Sequence, residues 1–576
     1  VATQPKGVTG PDLGATAPPS APPPLRLPDA DAPRSARQLL RTLLLGPVPG
    51  EPVSTHVPVN EEPAPEPAPS RLARYGRFAP AAVVGFVGSL LIVASAPVYY
   101  LAEPTWRLTL PLVPHPGSSA NSITTFVIGL ALMVGGWLLL VRRVDRAPTG
   151  PRGRTVAVLV VGALWCLPIL ASTPLLSHDA YSYAAQGEMA SQHIDPTSTG
   201  PEALRYGWYL RQADHIWHWA PAPYGPVAIE AEKLVVQATH HVASASVWGM
   251  RVVALLGIVM AAAGVALIAA SCRRSVALAL ALGILNPLVL LHLLGGSHND
   301  ALMLGFLALG FAAFVRDRRW LAVVLVAFAA GVKLTAAPAL VFMAWNWQDD
   351  PAVAYARRVR RSAIVVAAAA AVITGLSVLA GVGPGWVAAL KSTGQSVSTY
   401  SLPTKGAYVA TDMLQWVGVH ASTSAMIAGF RLVGLAVAGA ISFVLLLRSP
   451  RLGVVRAFAL SSLVIVILGP VVWPWYLATG FALLAATGVE RWRPTYIVLV
   501  VTATALVWPA GISPLASVQH VQNGISPFVV ALVVGVCWAG QRLAARGRSA
   551  DRPGEGHARE AEPFSSPDRD AEPAAT

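Results

Sequence analysis

The sequence predicts an all-α, polytopic integral membrane protein. Three observations carry that prediction. Hydrophobic residues make up 54% of the 576-residue chain and charged residues only 12%, against roughly 25% charged in an ordinary soluble domain. The apolar residues gather into blocks suited to crossing a hydrocarbon core of about 30 Å. Arginine clusters separate those blocks, as expected of cytoplasmic loops. Lys+Arg 42 against Asp+Glu 29 gives a formal net charge of +13. Set between apolar blocks, this charge reports topology and anionic lipid, not nucleic acid. Collagen, coiled coil and disulfide scaffolds are excluded by the same composition. The three cysteines, Cys166, Cys272 and Cys537, have no metal-ligand spacing and read as small buried apolar side chains.

Residues 1–70 are rich in Pro, Ala and Glu ("EEPAPEPAPS") and predict a disordered cytoplasmic tail, with no cleavable signal pattern at its start. Residues 71–548 form the membrane body. Its apolar blocks run 78–99, 121–141, 154–174, 248–271, 275–294, 300–315, 320–346, 362–382, 423–447, 454–472, 475–489, 495–510 and 526–544. Residues 549–576 are a second polar tail. Block 320–346 begins beside Arg316, Arg318 and Arg319 and ends before Arg357, Arg358, Arg360 and Arg361. A single crossing cannot start and finish on one side. The block is therefore predicted to fold as two half-length helices, 320–332 and 335–347, with Lys333 at the outer tip between Gly331 and Pro338. The total is about twelve to fourteen membrane helices, with both termini inside.

Two long segments fall outside, 175–247 and 383–422, and long loops are where function concentrates. The body's lysines, Lys233, Lys333, Lys391 and Lys405, also fall outside, against the arginine trend. At Lys233 and Lys391 a solvated loop is a sufficient reason. Lys333 lies inside an apolar block, where an ammonium needs a partner such as a phosphate.

The first segment opens "LLSHDAYSYAAQGEM". Asp179 admits two readings, a general base for a sugar hydroxyl or a helix cap. His178 and Glu188 are candidate partners, and Tyr181 and Tyr183 suit sugar stacking or an interfacial belt. Asp195, before Pro196, reads as a turn residue. Arg205–Trp219 predicts an interfacial helix. In "APAPYGPVAIE", Pro221, Pro223 and Pro226 fix the backbone around Tyr224 and Gly225. In "NPLVLLHLLGGSHNDALMLG", Asn286–Pro287 kinks a helix, and Ser297, His298, Asn299 and Asp300 form a polar knot. That knot predicts a substrate or ion site; a cap needs one polar residue, not four in a row. His298 and Asp300 lack a third ligand for a divalent metal. Asp349 and Asp350 fall on the cytoplasmic side, away from these groups. Trp473, Trp475 and Tyr476 in "VVWPWYL" read as belt residues. No G-x-x-x-x-G-K-[ST] phosphate loop occurs.

The order "SHDAYSYAAQGEM", "APAPYGPVAIE", "GGSHNDALMLG", "GVKLTAAPAL" over roughly 75–545 resembles the actinobacterial polyprenol-phosphate-mannose-dependent α-(1→6)-mannopyranosyltransferases, on the MptB side of the MptA/MptB group. The resemblance implies a GT-C-type bundle with its active site on the external face. It makes Asp179 the catalytic base and places Tyr224, Gly225 and Pro226 in the donor–acceptor cleft, with Tyr181, Tyr183 and Glu188 beside it. It sets His298, Asn299, Asp300 and Lys333 near the donor phosphate, with Arg251 and Arg211 as further cationic groups. His178 stands where the family pattern leads one to expect Arg. The implied donor is a β-linked polyprenyl phosphate mannose. The implied acceptor is a lipid-anchored α-(1→6)-mannan of the lipomannan and lipoarabinomannan cores, mannosylated with inversion. No cofactor is required, and a divalent metal remains open. Nucleic acid is not a partner. Two alternatives stand: a GT-C transferase using polyprenol-phosphate arabinose or mannosylating protein, and a lipid-glycan transporter. A transporter would carry inverted repeats and midplane broken helices.

Overall fold

The computed structural model describes residues 75–95, 119–146, 150–347, 354–395 and 400–507. The predicted tails, the block 526–544 and Asp349–Asp350 lie outside these residues. All regular structure among the described residues is helical. Three helices open the bundle: α1 (Ala79–Ser95), α2 (Ser119–Arg146) and α3 (Pro151–Leu170). The first outer segment then folds as α4 (Asp179–Ser191), the short α5 (Trp208–Gln212) and α6 (Pro226–Ala238). α7 (Ala243–Ser271) and α8 (Val276–Gly283) return to the bundle. After a π-helical turn at Val289–Gly295 come α9 (Asp300–Phe314), α10 (Arg319–Val332) and α11 (Pro338–Trp345). The rest is α12 (Tyr355–Ala380), α13 (Gly385–Gln395), α14 (Leu402–Trp416), α15 (Thr423–Leu452), α16 (Val454–Ile467), α17 (Leu477–Thr487) and α18 (Arg493–Ala505).

Among the described residues, five stretches are long and apolar enough to cross a membrane: Ile123–Arg146, Pro151–Leu170, Ala243–Ser271, Tyr355–Ala380 and Thr423–Leu452. Their outer faces carry large apolar side chains that protein does not cover, such as Val252 at 65% and Leu432 at 70% exposure. Exposed apolar surface on this scale needs another apolar partner, and lipid supplies it. The chain is a multi-pass membrane protein. Other apolar blocks form shorter helices, because the sequence breaks them. Block 320–346 divides as predicted into α10 and α11, with Lys333 extended between them (φ −150°, ψ 123°).

The break in block 275–294 follows from Asn286 and Pro287. Proline removes a helical N–H and crowds the preceding turn, and backbone groups left over in an apolar bundle need new partners. The buried Asn286 amide supplies them. Its Nδ2 donates to the carbonyls of Leu282 (2.7 Å) and Gly283 (3.0 Å), and its Oδ1 accepts from Val289 N (3.0 Å). Tyr496 of α18 adds a hydroxyl that donates to Leu282 O and Phe481 O, each at 3.1 Å.

Many of the arginines that separate the helices gather at one end of the bundle. Arg316 reaches Ser271 Oγ (3.3 Å), Arg274 pairs with Glu490 (3.5 Å), Arg493 with Asp145, and Arg143 donates to Arg77 O (3.0 Å). In α7, α9 and α10 this is the end opposite Asp300 and Lys333. The interfacial helix predicted for Arg205–Trp219 is not continuous. Gly207, at φ 113°, starts the short α5, Ala213 is extended, and a 3-10 turn at His215–Trp217 follows.

Replacing Asn286 by Leu removes three hydrogen bonds next to a proline break. At about 1–3 kcal/mol per unsatisfied buried group, the detergent-solubilised protein should melt measurably lower, and Tyr496→Phe should lower it less. A thermal scan of the two variants checks this; an unchanged Asn286→Leu melt contradicts it.

Candidate active site

The end of α3 feeds directly into the first outer segment. Ser177 Oγ accepts from Asp179 N (3.1 Å), so the serine, not the aspartate, serves the start of α4. Asp179 stands at the first helical position with its side chain turned inward. Its Oδ2 lies 3.2 Å from His298 Nδ1 and accepts from the Tyr183 hydroxyl at 3.4 Å. Tyr183 is one turn along the same helix, where positions i and i+4 share a face. Burial by itself would raise the Asp179 carboxyl. The His298 contact, the nearby Lys333 charge and the Tyr183 hydroxyl outweigh it and hold the group below the ordinary aspartate range.

The polar knot forms the wall facing α4. Asn299 precedes α9 without a side-chain cap bond, and Ser297 sits at φ 56°, a region that non-glycine residues seldom occupy. Arg251 secures this turn from α7. Its guanidinium donates to Ser297 Oγ (3.3 Å), to Gly295 O (3.0 Å), to Ile169 O (3.0 Å) and to Ser172 O. Four carbonyl or hydroxyl acceptors take up its donors, so Arg251 is a clasp between α3 and the knot. It does not reach the cavity, which corrects the phosphate-binding expectation.

Lys333 enters from the break between α10 and α11. Its Nζ donates to both oxygens of Asp300, at 3.0 and 2.9 Å, and lies 3.9 Å from the centroid of Tyr476. Both groups of this pair are largely buried, with side-chain exposures of 13% and 4%. The proline-framed turn holds Tyr224 next to the lysine. Gly225 N donates to Val332 O (3.2 Å), and a Cβ on Gly225 would stand 2.3 Å from Gly331 O. Only glycine permits this approach of the two backbones. Tyr224 meets Tyr183 edge to face at 5.5 Å.

These parts enclose a cavity of about 450 Å³. Asp179, His178, Tyr183, Tyr224 and Lys333 line it, so the structure brings these predicted residues together. His298 supports Asp179 from behind, and Asp300 supports Lys333. The knot therefore acts on the cavity through its partners. Asp300 gives both oxygens to Lys333, and among the described residues no group of three or more His, Cys, Asp or Glu is placed to hold a metal.

Other predicted residues stand apart. Glu188 accepts from Gln192 Nε2 (2.7 Å) and pairs with His241 Nδ1 (2.7 Å), which commits it to the far end of α4. Tyr181 is buried in a core with Ala180, Val236 and Val247 and does not line the cavity. Arg211 is exposed on α5 and does not line it either. Lys233 pairs with Glu230 at 2.6 Å on the same helix. Asp195 holds a turn through Thr197 N (2.8 Å) and Oγ1 (2.7 Å). Cys272 is exposed rather than buried.

The aromatic triad near Pro474 corrects a sequence expectation. Trp473, Trp475 and Tyr476 line the cavity. Trp475 stacks on His298 at 4.1 Å and on Trp473 at 4.9 Å. Their spacing resembled a membrane belt, and only the return of α16 across the bundle brings them to the site. Asp214, 3.8 Å from His178 Nδ1, also lines the cavity; it was hidden inside the supposed interfacial helix.

Comparison with known proteins says which family the chain belongs to. Residues 82–349 match the family described as "Alpha-(1->6)-mannopyranosyltransferase, N-terminal domain", and residues 403–538 match the "MptB C-terminal domain". The chain is 30% identical to α-(1→6)-mannopyranosyltransferase B of Corynebacterium glutamicum, covering 80% of this chain and 82% of that protein. It is 30% identical to α-(1→6)-mannopyranosyltransferase A of Mycobacterium tuberculosis, covering 71% and 80%. No solved structure matches significantly. The helical bundle and these relatives together define a GT-C-type membrane glycosyltransferase. Within that class the chain belongs to the α-(1→6)-mannopyranosyltransferase family, and it is a mannosyltransferase. The transporter alternative gives way to that assignment.

Removing either member of the Lys333–Asp300 pair leaves a buried charge alone, at about 3–5 kcal/mol. Lys333→Met should therefore destabilise more than the double variant Lys333→Met/Asp300→Leu. Thermal unfolding of both checks this, and additive losses contradict it.

Proposed function

We propose that the enzyme moves mannose from a polyprenyl phosphate mannose to the 6-hydroxyl of a lipid-anchored α-(1→6)-mannan, in lipomannan and lipoarabinomannan core synthesis. In this reading residues 71–548 form one catalytic domain between the tails 1–70 and 549–576. The observation that carries the proposal is a carboxylate and a lysine, Asp179 and Lys333, on the wall of one cavity. The acceptor oxygen attacks the anomeric carbon, and its proton passes to Asp179. The bond from that carbon to the phosphate oxygen breaks, and the lipid phosphate leaves with the electron pair. Attack from the face opposite the phosphate inverts the β-linked donor to an α product.

A carboxylate held below its ordinary range is anionic at neutral pH and ready to accept. It need not deprotonate a resting alcohol, because the hydroxyl grows more acidic as its oxygen bonds to carbon. A phosphate leaving group needs charge stabilisation more than an acid. Lys333 supplies that charge, and Asp300 holds the ammonium in place while it is unliganded. The stacked Trp473–Trp475 pair gives the sugar a flat apolar wall. Leu390, Leu435, Ile465 and Val466 continue that wall and suit the first isoprene units.

The arginine-rich end of the bundle supports an external site. The positive-inside rule assigns that end to the cytoplasm, and the cavity opens at the other. The lipid donor accounts for the membrane location, since its phosphate sits at the interface where Lys333 waits.

Membranes containing the enzyme should transfer labelled mannose from polyprenyl phosphate mannose to a short α-(1→6)-mannoside. Asp179→Asn should lose about 10²–10⁴-fold in rate, the usual share of a general base. Normal transfer by that variant overturns the base assignment. Turnover of polyprenyl phosphate arabinose alone overturns the donor assignment. The acid limb of the rate profile should lie below the ordinary aspartate range, because the anionic form accepts the proton.

A further inference from the structure

Behind His298, away from the main cavity, lies a second and much smaller one. Its volume is about 20 Å³, enough for one water by the roughly 10–15 Å³ that a water's centre requires. Tyr183, Glu232, Ser297, His298 and Asn299 supply its polar lining. Glu232 is 3% exposed, and neither of its carboxyl oxygens has a hydrogen-bond partner among the described residues. The Asn299 amide is 8% exposed, and its Oδ1 and Nδ2 are equally unpartnered. His298 is fully buried and its Nε2 has no partner. Buried polar groups are nearly always satisfied, and three such side chains converge here on one space.

The packing of α4 on α6 creates this arrangement. A Cβ on Gly187 would stand 2.5 Å from Glu232 O, so glycine lets the two helices meet backbone to backbone and carries Glu232 inward. Among the described residues no ion pair answers it. Arg251 on α7 spends its guanidinium on Ser297, Gly295, Ile169 and Ser172. The other titratable groups lining the space are Tyr183 and His298. Burial pushes the Glu232 carboxyl well above its usual range, which favours the protonated form that can donate.

His298 needs such a donor. Its Nδ1 lies 3.2 Å from Asp179 Oδ2, close enough for a hydrogen bond once the ring is suitably turned; the tautomer that carries Nδ1–H toward Asp179 leaves Nε2 as an acceptor. We propose that Glu232 is a positioning residue: with Asn299 it holds one internal water behind His298, and the donated proton at Nε2 locks the ring in the tautomer that presents Nδ1–H to Asp179. Glu232 then acts on the reaction through two partners and touches no substrate. The inference rests on reading Asp179 as the base.

The test compares Glu232→Gln with Glu232→Leu in the mannose-transfer assay. Glutamine keeps a donor in the same shape and should stay within about threefold of the wild-type rate. Leucine removes it, and kcat should fall about tenfold or more, by analogy with the 10–100-fold loss when the partner that orients a metal-bound histidine is removed, with KM unchanged. The acid limb of kcat should also move to higher pH, because Asp179 loses the contact that lowers it. An unshifted limb with wild-type kcat in Glu232→Leu overturns the proposal, as does glutamine being as damaging as leucine. A readout independent of activity is the infrared C=O stretch of a protonated carboxyl at neutral pH, expected in the wild type and lost in Glu232→Gln. Its absence from the wild type overturns the proposal whether or not either variant folds, and leaves the Asp179 reading to be judged by Asp179→Asn.

Discussion

A lysine ammonium at the broken tip of an apolar helix has to be neutralised, and Asp300 does this for Lys333 through both carboxylate oxygens, at 3.0 and 2.9 Å. The rest of the site depends on that pair. It joins the end of α10 to the start of α9, and so fixes the polar knot beside the half-helix break. The knot in turn carries His298, which meets Asp179 on α4. One ion pair thus couples the two charged positions that the proposed chemistry uses. It also explains why the break at Gly331–Lys333 is tolerated in a chain that otherwise buries its backbone in helices: irregular backbone at this depth survives where it lines a cavity.

The division of labour follows from burial. Asp179, Tyr183 and Lys333 face the cavity proposed to take the sugar phosphate, whereas Asp300, His298 and Arg251 hold the parts around it. Arg251 illustrates the difference. A cation in the right neighbourhood is not a phosphate ligand when carbonyls of Ile169, Ser172 and Gly295 already occupy its donors. Its function is to keep a strained turn closed at Ser297. Such supporting contacts matter in an enzyme of this kind, because misplacing a reacting group by an ångström is costly.

Much of this was legible in the residues. The hairpin at Lys333 followed from arginines at both ends of one apolar block, a constraint of charge and length. Asp179 and the knot were legible because polar residues at membrane depth need a reason, and Tyr224 because three prolines frame its turn. What failed was anything decided by long-range packing. Trp475 looks like a belt residue until the chain brings it onto His298. Glu188 looks like a partner for Asp179, yet helix periodicity turns it toward His241 at the other end. Arg205–Trp219 has the composition of an interfacial helix, but Gly207 and Ala213 take backbone angles that stop it. Glu232 gave no signal at all, since its isolation depends on how closely Gly187 lets α4 approach α6.

The central claim is that sugar transfer takes place between Asp179 and Lys333. An experimental structure with a non-transferable polyprenyl phosphate mannose analogue tests it most directly. The account predicts the phosphate oxygens within hydrogen-bond reach of Lys333, the mannose against Trp473 and Trp475, and the anomeric carbon open to attack from the side of Asp179. A headgroup bound at the arginine-rich end of the bundle, or in the cavity with its phosphate turned from Lys333, would contradict it.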